Sequence, residues 1–265
     1  MRTLAGGITL AYDAAGDGLP IVLLHAFPAN RRMWAPQVRA LSAFGRCIAP
    51  DLRGFGESDI APPYAMDQYA DDLAALLNAL GVREPVVLAG LSMGGYVAFA
   101  FWRRHRARVR ALVLADTRAG ADGDTARVKR RQLIATARTE GSAAVADIQI
   151  TGLLGKRTRS KRPALVSEVR AMLASAPPEG IVGASEAMLT RPDSTPDLAG
   201  VGVPTLIVVG EDDVTTPHAE AAAMHAAVRG SRLEVIPGAG HLSNLERPSA
   251  FNQVVSEFLA EVMRA

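Results

Sequence analysis

Short apolar runs recur along the chain, and turn-forming or charged residues separate them. The runs are rich in Val, Ile and Leu, and their apolar positions are consecutive rather than alternating. Strands that are covered on both faces of a parallel sheet show this pattern. It predicts six buried strands: PIVLLHA (20–26), GRCIAPD (45–51), PVVLAG (85–90), VRALVLAD (109–116), PTLIVVGED (204–212) and SRLEVIPG (231–238).

Between the predicted strands, apolar residues recur at helical spacing. Helices are predicted over 66–81, 94–107 and 219–230, and the first and last of these end at a glycine, a common residue just after a helix C-terminus. Strands and helices therefore alternate along the chain. This order is typical of an α/β fold, in which a doubly wound, mostly parallel sheet carries helices on both faces.

The strand pattern is interrupted between about residues 118 and 198, where apolar residues keep helical spacing only. Prolines and glycines over 190–204 mark the return to strands. The sequence therefore predicts a core domain formed by 1–117 and 199–265. A helical cap over 118–198 is predicted as an insertion between two strands of the sheet.

Composition places the chain among globular proteins. Its 265 residues are 49% hydrophobic and 21% charged, and no apolar run approaches the roughly 18 residues of a membrane span. The first residues lack the pattern of a secretory signal, so we expect a cytoplasmic protein with no membrane partner. The single cysteine, Cys47, excludes an internal disulfide, and its place in a predicted strand indicates a buried thiol.

Basic residues cluster at RVKRRQ (127–132) and KRTRSKR (156–162) in the predicted cap, although the net charge is only +2. Neither cluster contains interleaved aromatic residues, which argues against a nucleic-acid partner. Two interpretations stay open. A solvated helix face is favoured, because consecutive residues of a helix cannot all point the same way; the alternative is a cationic cleft wall that attracts an anionic substrate.

One stretch carries a catalytic motif in its expected context. VVLAGLSMGGY (86–96) runs from a predicted strand through G-x-S-x-G into a predicted helix, as a nucleophile elbow does. Gly90 and Gly94 flank Ser92 at the two positions where side chains would collide with neighbouring elements on so sharp a turn. Ser92 is therefore the candidate nucleophile.

A serine hydroxyl is a poor nucleophile until a neighbouring base takes its proton. His241 is the candidate base, because it follows glycines at the carboxyl end of the last predicted strand, where open α/β sheets place their sites. The acid that orients His241 has three candidates, namely Asp213, its neighbour Asp212, and Asp116 at an earlier strand end. Each gives the chain order Ser, Asp, His that is typical of the hydrolase fold.

With these residues in place, the sequence resembles the α/β-hydrolase family over nearly its whole length, least in the cap. The resemblance implies the α/β-hydrolase fold. It also favours Asp213 as the acid of the triad, because Asp213 ends a Gly-Glu-x-Asp pattern that a proline, Pro217, follows. Ala26, in the segment similar to the oxyanion loop, stands where glycine is commoner. The likeness is to 3-oxoadipate enol-lactonase-like and small carboxylesterase-like members. Four segments carry it besides the elbow: LLHAFPANRRMW (23–34), APDLRGFGESD (49–59), VVGEDDVTTP (208–217) and PGAGHLSNLERP (237–248).

In this fold the oxyanion hole is formed by two backbone N–H groups, which are predicted to be those of Phe27 and Met93. His25 is expected to orient the oxyanion loop. His25 and Trp34 are also the predicted side chains of the substrate pocket, with plain core packing as an equal alternative for Trp34.

These residues predict a serine hydrolase that cleaves a small carboxylic ester or lactone through an acyl-enzyme, with no metal and no organic cofactor. A carbon–carbon bond hydrolase or a cofactor-free perhydrolase could use the same triad, and a non-catalytic ligand-binding protein could keep the same fold. The substrate and the oligomeric state are not fixed by the sequence.

Overall fold

A single eight-stranded sheet organises the computed structural model, which describes residues 1–264. Its spatial order is β1-β2-β4-β3-β5-β6-β7-β8. Strands β3 to β8 run parallel, whereas β1 and β2 pair antiparallel at one edge. The six predicted strands are confirmed as β3 to β8. The bounds are β1 (Arg2–Ala5), β2 (Ile8–Ala15), β3 (Pro20–Leu24), β4 (Arg46–Pro50), β5 (Val86–Leu91), β6 (Val109–Ala115), β7 (Thr205–Gly210) and β8 (Arg232–Ile236).

Helices connect the strands and cover the sheet. The three predicted helices are confirmed as α2, α3 and α9, each with slightly different ends. Short 3-10 helices span Arg31–Trp34, Arg106–Arg108 and Thr195–Gly200. The α-helices are α1 (Ala35–Leu41), α2 (Met66–Ala79), α3 (Met93–His105), α4 (Asp124–Thr139), α5 (Ser142–Leu153), α6 (Lys156–Lys161), α7 (Pro163–Ala174), α8 (Pro178–Leu189), α9 (His218–Ala227), α10 (Ser243–Glu246) and α11 (Pro248–Arg264).

Alternate residues of the central strands pack into two hydrophobic clusters, one on each face of the sheet. In β5, Val86 and Leu88 pack with apolar residues of α2 and α3. Val87 and Ala89 pack with apolar residues of α1 and α11. Burial on both faces explains why the sequence of this strand is continuously apolar. The predicted α/β fold with a doubly wound, mostly parallel sheet is thus confirmed.

The thiol of Cys47 lies in the second of these clusters, within β4. Its side chain is fully buried, and burial raises the pKa of the thiol to about 12. A thiol in this environment stays protonated and unreactive.

Five helices, α4 to α8, fall between β6 and β7, in the segment for which the sequence predicts a cap. Helix α4 packs against α8, and α5 packs against α7. The division of the chain into a core domain and a cap domain stays a prediction.

A buried carboxylate joins the beginning and the end of this insertion. Asp122 accepts hydrogen bonds from Arg118 (2.8 Å), Arg130 (2.6 Å) and Arg191 (2.7 Å). Burial by itself would raise the pKa of Asp122, but its bonds to the arginines hold that pKa well below its ordinary value. Arg191 also lies 4.0 Å above the centre of the Tyr96 ring on α3. The inserted helices are thereby fixed to the helix that begins beside Ser92.

No helix within residues 1–264 combines the length and the apolar character needed to cross a membrane.

Candidate active site

The candidate catalytic residues follow neighbouring strands of the sheet. Ser92 comes directly after β5, Asp116 after β6, Asp213 three residues after β7, and His241 five residues after β8. These four strands are adjacent in the sheet and parallel. Because parallel strands end at the same edge, the four side chains lie along one rim of the molecule.

Ser92 occupies a strained turn between β5 and α3. Its backbone has φ 56° and ψ −113°, a conformation that residues other than glycine rarely adopt. A Cβ at Gly90 would overlap the backbone of Gly94, and a Cβ at Gly94 would overlap the carbonyl of Leu24 in β3. Both flanking glycines are therefore required for β3, β5 and α3 to approach this closely.

Neighbouring groups hold this turn in place. The N–H of Ser92 donates to the carbonyl of Ala115 at 3.0 Å, and the hydroxyl of Thr117 donates to the carbonyl of Ser92 at 2.8 Å. Ala115 is the last residue of β6, and Thr117 lies two residues beyond it. The strained residue is thus fixed by the adjacent strand.

Asp213 and His241 form a buried hydrogen-bonded pair. His241 Nδ1 lies 2.8 Å from Asp213 Oδ2, and neither side chain is exposed. The carboxylate also accepts the N–H of Thr215 (2.8 Å), the N–H of Thr216 (3.0 Å) and the hydroxyl of Thr216 (2.7 Å). The Thr216 hydroxyl is 3.2 Å from His241 Nδ1 as well. Thr216 therefore contacts both partners, a role that the sequence did not predict.

Electrostatics favour an ionised Asp213. Burial alone would raise the pKa of this carboxyl, but the adjacent His241 and the hydrogen bonds from Thr216 lower it. Burial alone would lower the pKa of His241, but the Asp213 carboxylate raises it above its ordinary value. The pair is therefore suited to a histidine that gains a proton beside a fixed negative charge.

The other two candidate acids occupy different environments. Asp212 is exposed and forms no hydrogen bond with His241. Asp116 is fully buried, accepts the N–H of Gly210 at 2.7 Å and accepts the hydroxyl of Ser243. Burial, reinforced by Asp213, raises the pKa of Asp116 to about 8. Asp116 thus joins the end of β7 to the segment that follows His241.

In the part of the chain that the structure describes, the distal nitrogen of His241 is left without a partner by the contacts of the ring with Asp213 and Thr216. Nε2 is buried and has no hydrogen-bond partner among residues 1–264. In particular, no hydrogen bond joins it to Ser92 Oγ. Catalytic hydrogen bonds are often long in ligand-free structures and tighten when substrate binds. Of the two hydrogen bonds that the predicted triad requires, the one between Asp213 and His241 is present and the one between His241 and Ser92 is not.

Two backbone N–H groups are free where an oxyanion hole is expected. Within residues 1–264, neither Phe27 nor Met93 donates its N–H to a hydrogen bond. Met93 is the first residue of α3, so its N–H is among the unpaired donors at the positive end of the helix dipole. These groups can donate hydrogen bonds to a developing oxyanion.

His25 is buried, and both of its ring nitrogens are occupied. Nδ1 donates to the carbonyl of Ala26 at 2.9 Å, and Nε2 accepts the N–H of Leu52 at 3.0 Å. Its ring also packs edge-on against Phe55, with 5.3 Å between the ring centres. These contacts brace the loop that carries Phe27, and they leave His25 no polar atom for a substrate.

Trp34 is likewise fully buried, with its ring centre 6.0 Å from that of Phe251 on α11. It belongs to the cluster on the α1 and α11 face of the sheet. These contacts correspond to core packing, the alternative that the sequence left open, although the indole N–H has no hydrogen-bond partner among residues 1–264. The pocket role of Trp34 and His25 stays a prediction.

No cluster of three or more His, Cys, Asp or Glu side chains suited to a metal ion occurs in the described part of the chain.

The family model for the alpha/beta hydrolase fold matches residues 20–248. The chain belongs to the α/β-hydrolase family.

The structure and the sequence are similar to those of known hydrolases. The structure is similar to that of a thermophilic esterase from Thermogutta terrifontis, with a TM-score of 0.94, 44% identity, and coverage of 98% of this chain and 97% of that one. It is also similar to the enol-lactonase from Burkholderia xenovorans LB400, with a TM-score of 0.91, 30% identity, and coverage of 98% and 100%. Its sequence is 30% identical over 267 residues to 3-oxoadipate enol-lactonase 1 of Acinetobacter baylyi, covering 99% of this chain and 97% of that protein. The chain is a hydrolase of this family.

Proposed function

We propose that the protein is a serine hydrolase that cleaves small carboxylic esters or lactones through an acyl-enzyme. Ser92 is the nucleophile, His241 the general base, and Asp213 the acid that orients the histidine. The observation that carries the proposal is the buried Asp213–His241 pair, whose bonded atoms are 2.8 Å apart, at the same sheet edge as a strained serine.

In the acylation step, Ser92 Oγ attacks the carbonyl carbon while its proton moves to His241 Nε2. Because Asp213 accepts the hydrogen bond from Nδ1–H, the unprotonated nitrogen of the neutral ring is Nε2, the atom that must take the proton of Ser92. The carboxylate then stabilises the imidazolium. The negative charge on the substrate oxygen is stabilised by the N–H groups of Phe27 and Met93, which need no reorientation.

The leaving alcohol, or the ring oxygen of a lactone, takes the proton from His241 as the carbon–oxygen bond breaks. His241 next removes a proton from water, and the resulting hydroxide equivalent attacks the acyl-enzyme. Collapse of the second tetrahedral intermediate returns the proton to Ser92 and releases the acid. Each step uses only these side chains and water.

Two lines of support favour an ester or lactone as the substrate. The esterase and the enol-lactonases named above are among the proteins to which this chain is similar over nearly its full length. Both reactions open a carboxylic ester bond, so one oxyanion hole and one triad serve either. Carbon–carbon bond cleavage and perhydrolysis stay alternative predictions for the same residues.

The test combines labelling with a substrate screen. A fluorophosphonate probe should label the wild-type protein at Ser92 and leave Ser92→Ala unlabelled. With p-nitrophenyl esters of increasing acyl length and several lactones, Ser92→Ala or His241→Ala should lower kcat by on the order of 10⁴-fold or more. Undiminished hydrolysis by Ser92→Ala would contradict the mechanism. A labelled protein that cleaves no ester or lactone would favour the alternative reactions.

A further inference from the structure

Glu246 is a buried carboxylate that the mechanism above does not use. It is the last residue of α10 and is only 1% exposed. Its hydrogen-bond donors are backbone N–H groups rather than a cationic side chain. A carboxylate is costly to bury unless its oxygens are hydrogen-bonded, so these donors account for its presence.

The two carboxylate oxygens of Glu246 bond to two distant segments. Oε1 accepts the N–H of Gly240 at 2.9 Å, and Gly240 immediately precedes His241. Oε2 accepts the N–H of Gly155 at 3.0 Å, in the turn between α5 and α6 of the insertion. Burial raises the pKa of Glu246, while the hydrogen bonds from the N–H groups of Gly155 and Gly240 oppose that rise. One side chain therefore bonds the histidine loop and the insertion together.

Glycine at both positions lets the two backbones touch. A Cβ at Gly240 would lie 2.8 Å from Glu246 Oε1 and 2.9 Å from Gly155 Cα. A Cβ at Gly155 would lie 3.2 Å from the Gly240 nitrogen. The carboxylate thus covers a backbone contact that larger residues would separate.

The residue on the other side of His241 is bonded to the end of α5, next to the same turn. Leu242 donates its N–H to the carbonyl of Leu153, the last residue of α5, at 3.0 Å. Both chain neighbours of His241 are therefore anchored to the end of α5 or to the turn that follows it. A shift of this segment would move the imidazole relative to Ser92, and a misplacement of about 1 Å can lower a rate by about 10²-fold.

We propose that Glu246 is a positioning residue that holds the backbone before His241 against the turn between α5 and α6, so that one carboxylate sets the place of both the base and the insertion. Its effect on rate rests on the proposed function, in which His241 is the base. Glu246 acts through Gly240 and touches no reacting atom.

The experiment compares Glu246→Gln with a matched control, Glu211→Gln. Glutamine keeps the size of the side chain but points an amide N–H₂ at one of the two backbone N–H groups, so one bond is lost. Glu211 also accepts a glycine N–H in the histidine loop, from Gly238 at 2.7 Å, but it is exposed and forms no hydrogen bond to the insertion among residues 1–264.

Hydrogen exchange followed by mass spectrometry reads out the link directly. Glu246→Gln should accelerate amide exchange both in peptides covering 150–158 and in peptides covering 237–243. With p-nitrophenyl butyrate, kcat should fall by about 10-fold to 10²-fold with little change in KM, because substrate contacts are kept while the base is displaced. Glu211→Gln should leave exchange in 150–158 and kcat at wild-type levels.

Unchanged exchange in either peptide, or a lower Tm with wild-type kcat, would overturn the proposal and leave Glu246 a purely structural residue. If Glu246→Gln does not fold, Glu246→Asp serves in its place, because the shorter side chain cannot span both N–H groups. Exchange requires no substrate, so it tests the link even if the wild-type protein cleaves none of the esters. An active Ser92→Ala variant would contradict the proposed function and leave the exchange result standing.

Discussion

Two buried carboxyls, Asp213 and Asp116, act electrostatically on His241, and their surroundings give them opposite protonation states near neutral pH. At Asp213, burial alone would raise the pKa, but His241 and the hydrogen bonds from Thr216 lower it below its ordinary value. Burial prevails at Asp116, whose pKa is raised to about 8. In the proposed mechanism this separation of pKa values favours Asp213 as the group that stabilises the imidazolium and leaves Asp116 as a neutral hydrogen-bonding link.

We therefore expect Asp213→Asn to keep the fold and to lower kcat by on the order of 10⁴-fold, because the amide no longer selects the tautomer of His241 or stabilises its charge. The measurement is steady-state hydrolysis of a p-nitrophenyl ester, with circular dichroism to verify folding. Asp212→Asn, which changes the exposed neighbour, is the matched control and should stay close to wild type. A crippled Asp116→Asn variant together with a mildly affected Asp213→Asn variant would reverse the assignment of the acid.

Asp116 leads to a separate prediction about stability. An unfolded aspartate has a pKa of about 3.9, whereas that of Asp116 is about 8 in the folded protein. Between these values the folded state retains a proton that the unfolded state has released, so this group makes the protein less stable as the pH rises from about 4 to about 8.

Asp116→Asn should remove this loss of stability at rising pH, because the amide stays neutral at every pH. It can also accept the N–H of Gly210 and donate to Ser243. The Tm of the variant relative to wild type should therefore be higher at pH 8 than at pH 5. Thermal unfolding at both pH values measures the difference. A difference in Tm that is the same at the two pH values would mean that Asp116 is ionised throughout.

At the scale of elements, the packing of β3, β5 and α3 depends on the two glycines around Ser92. A Cβ at Gly94 would overlap the backbone carbonyl of Leu24, which has no rotamer by which to move aside. Gly94→Ala should lower the free energy of unfolding by about 1–3 kcal/mol or more. For a chain of this size, each kcal/mol lowers Tm by about 2–4 °C. It should also lower kcat, because Ser92 moves with the turn.

The control for this prediction is Gly202→Ala, in the exposed loop before β7. A Cβ there would meet no atom within 4 Å. Thermal unfolding of both variants measures the difference. Equal Tm values would show that the contact between β3 and α3 yields without cost.

Local patterns predicted the central elements of the fold but not its antiparallel edge. Strands β3 to β7 are almost entirely buried, so their apolar runs stand out in the sequence. Strand β8, at one edge of the sheet, was also predicted although most of its residues are half-exposed. Strands β1 and β2 form an antiparallel hairpin at the other edge and were not predicted. Their sequences, RTLA and ITLAYDAA, mix apolar with polar residues and lack the continuous apolar run on which the prediction depended.

The same difference separates the site residues. Ser92, Asp213 and His241 lie in motifs that are readable within about ten residues. The hydrogen bond between Glu246 and Gly155 joins residues that are 91 positions apart in the sequence. The one between Ser243 and Asp116 joins residues that are 127 positions apart. Such contacts depend on how the insertion and the strand ends come together, which no local pattern specifies.

At the scale of the whole molecule, the basic residues of the insertion have partners other than a substrate. Eleven Lys and Arg residues lie between positions 118 and 162, against four Asp and Glu residues. Two of them, Arg118 and Arg130, bond to Asp122. Arg138 pairs with Glu186. Three arginines donate to main-chain carbonyls: Arg127, Arg159 and Arg162. The remaining five are exposed to solvent: Lys129, Arg131, Lys156, Arg157 and Lys161.

Because these cations are paired with carboxylates and carbonyls or are solvated, we expect no preference for an anionic substrate. The comparison is kcat/KM for a neutral p-nitrophenyl ester and for its analogue with a carboxylate at the far end of the acyl chain. Measurements at about 0.01 M and about 1 M salt span Debye lengths of about 30 Å and about 3 Å. The charged ester should be no better a substrate at low salt, and neither value should change by more than about twofold. An advantage of the charged ester that high salt abolishes would instead show that the exposed basic residues attract the substrate over a distance, because a direct ion pair in a buried pocket is screened much less.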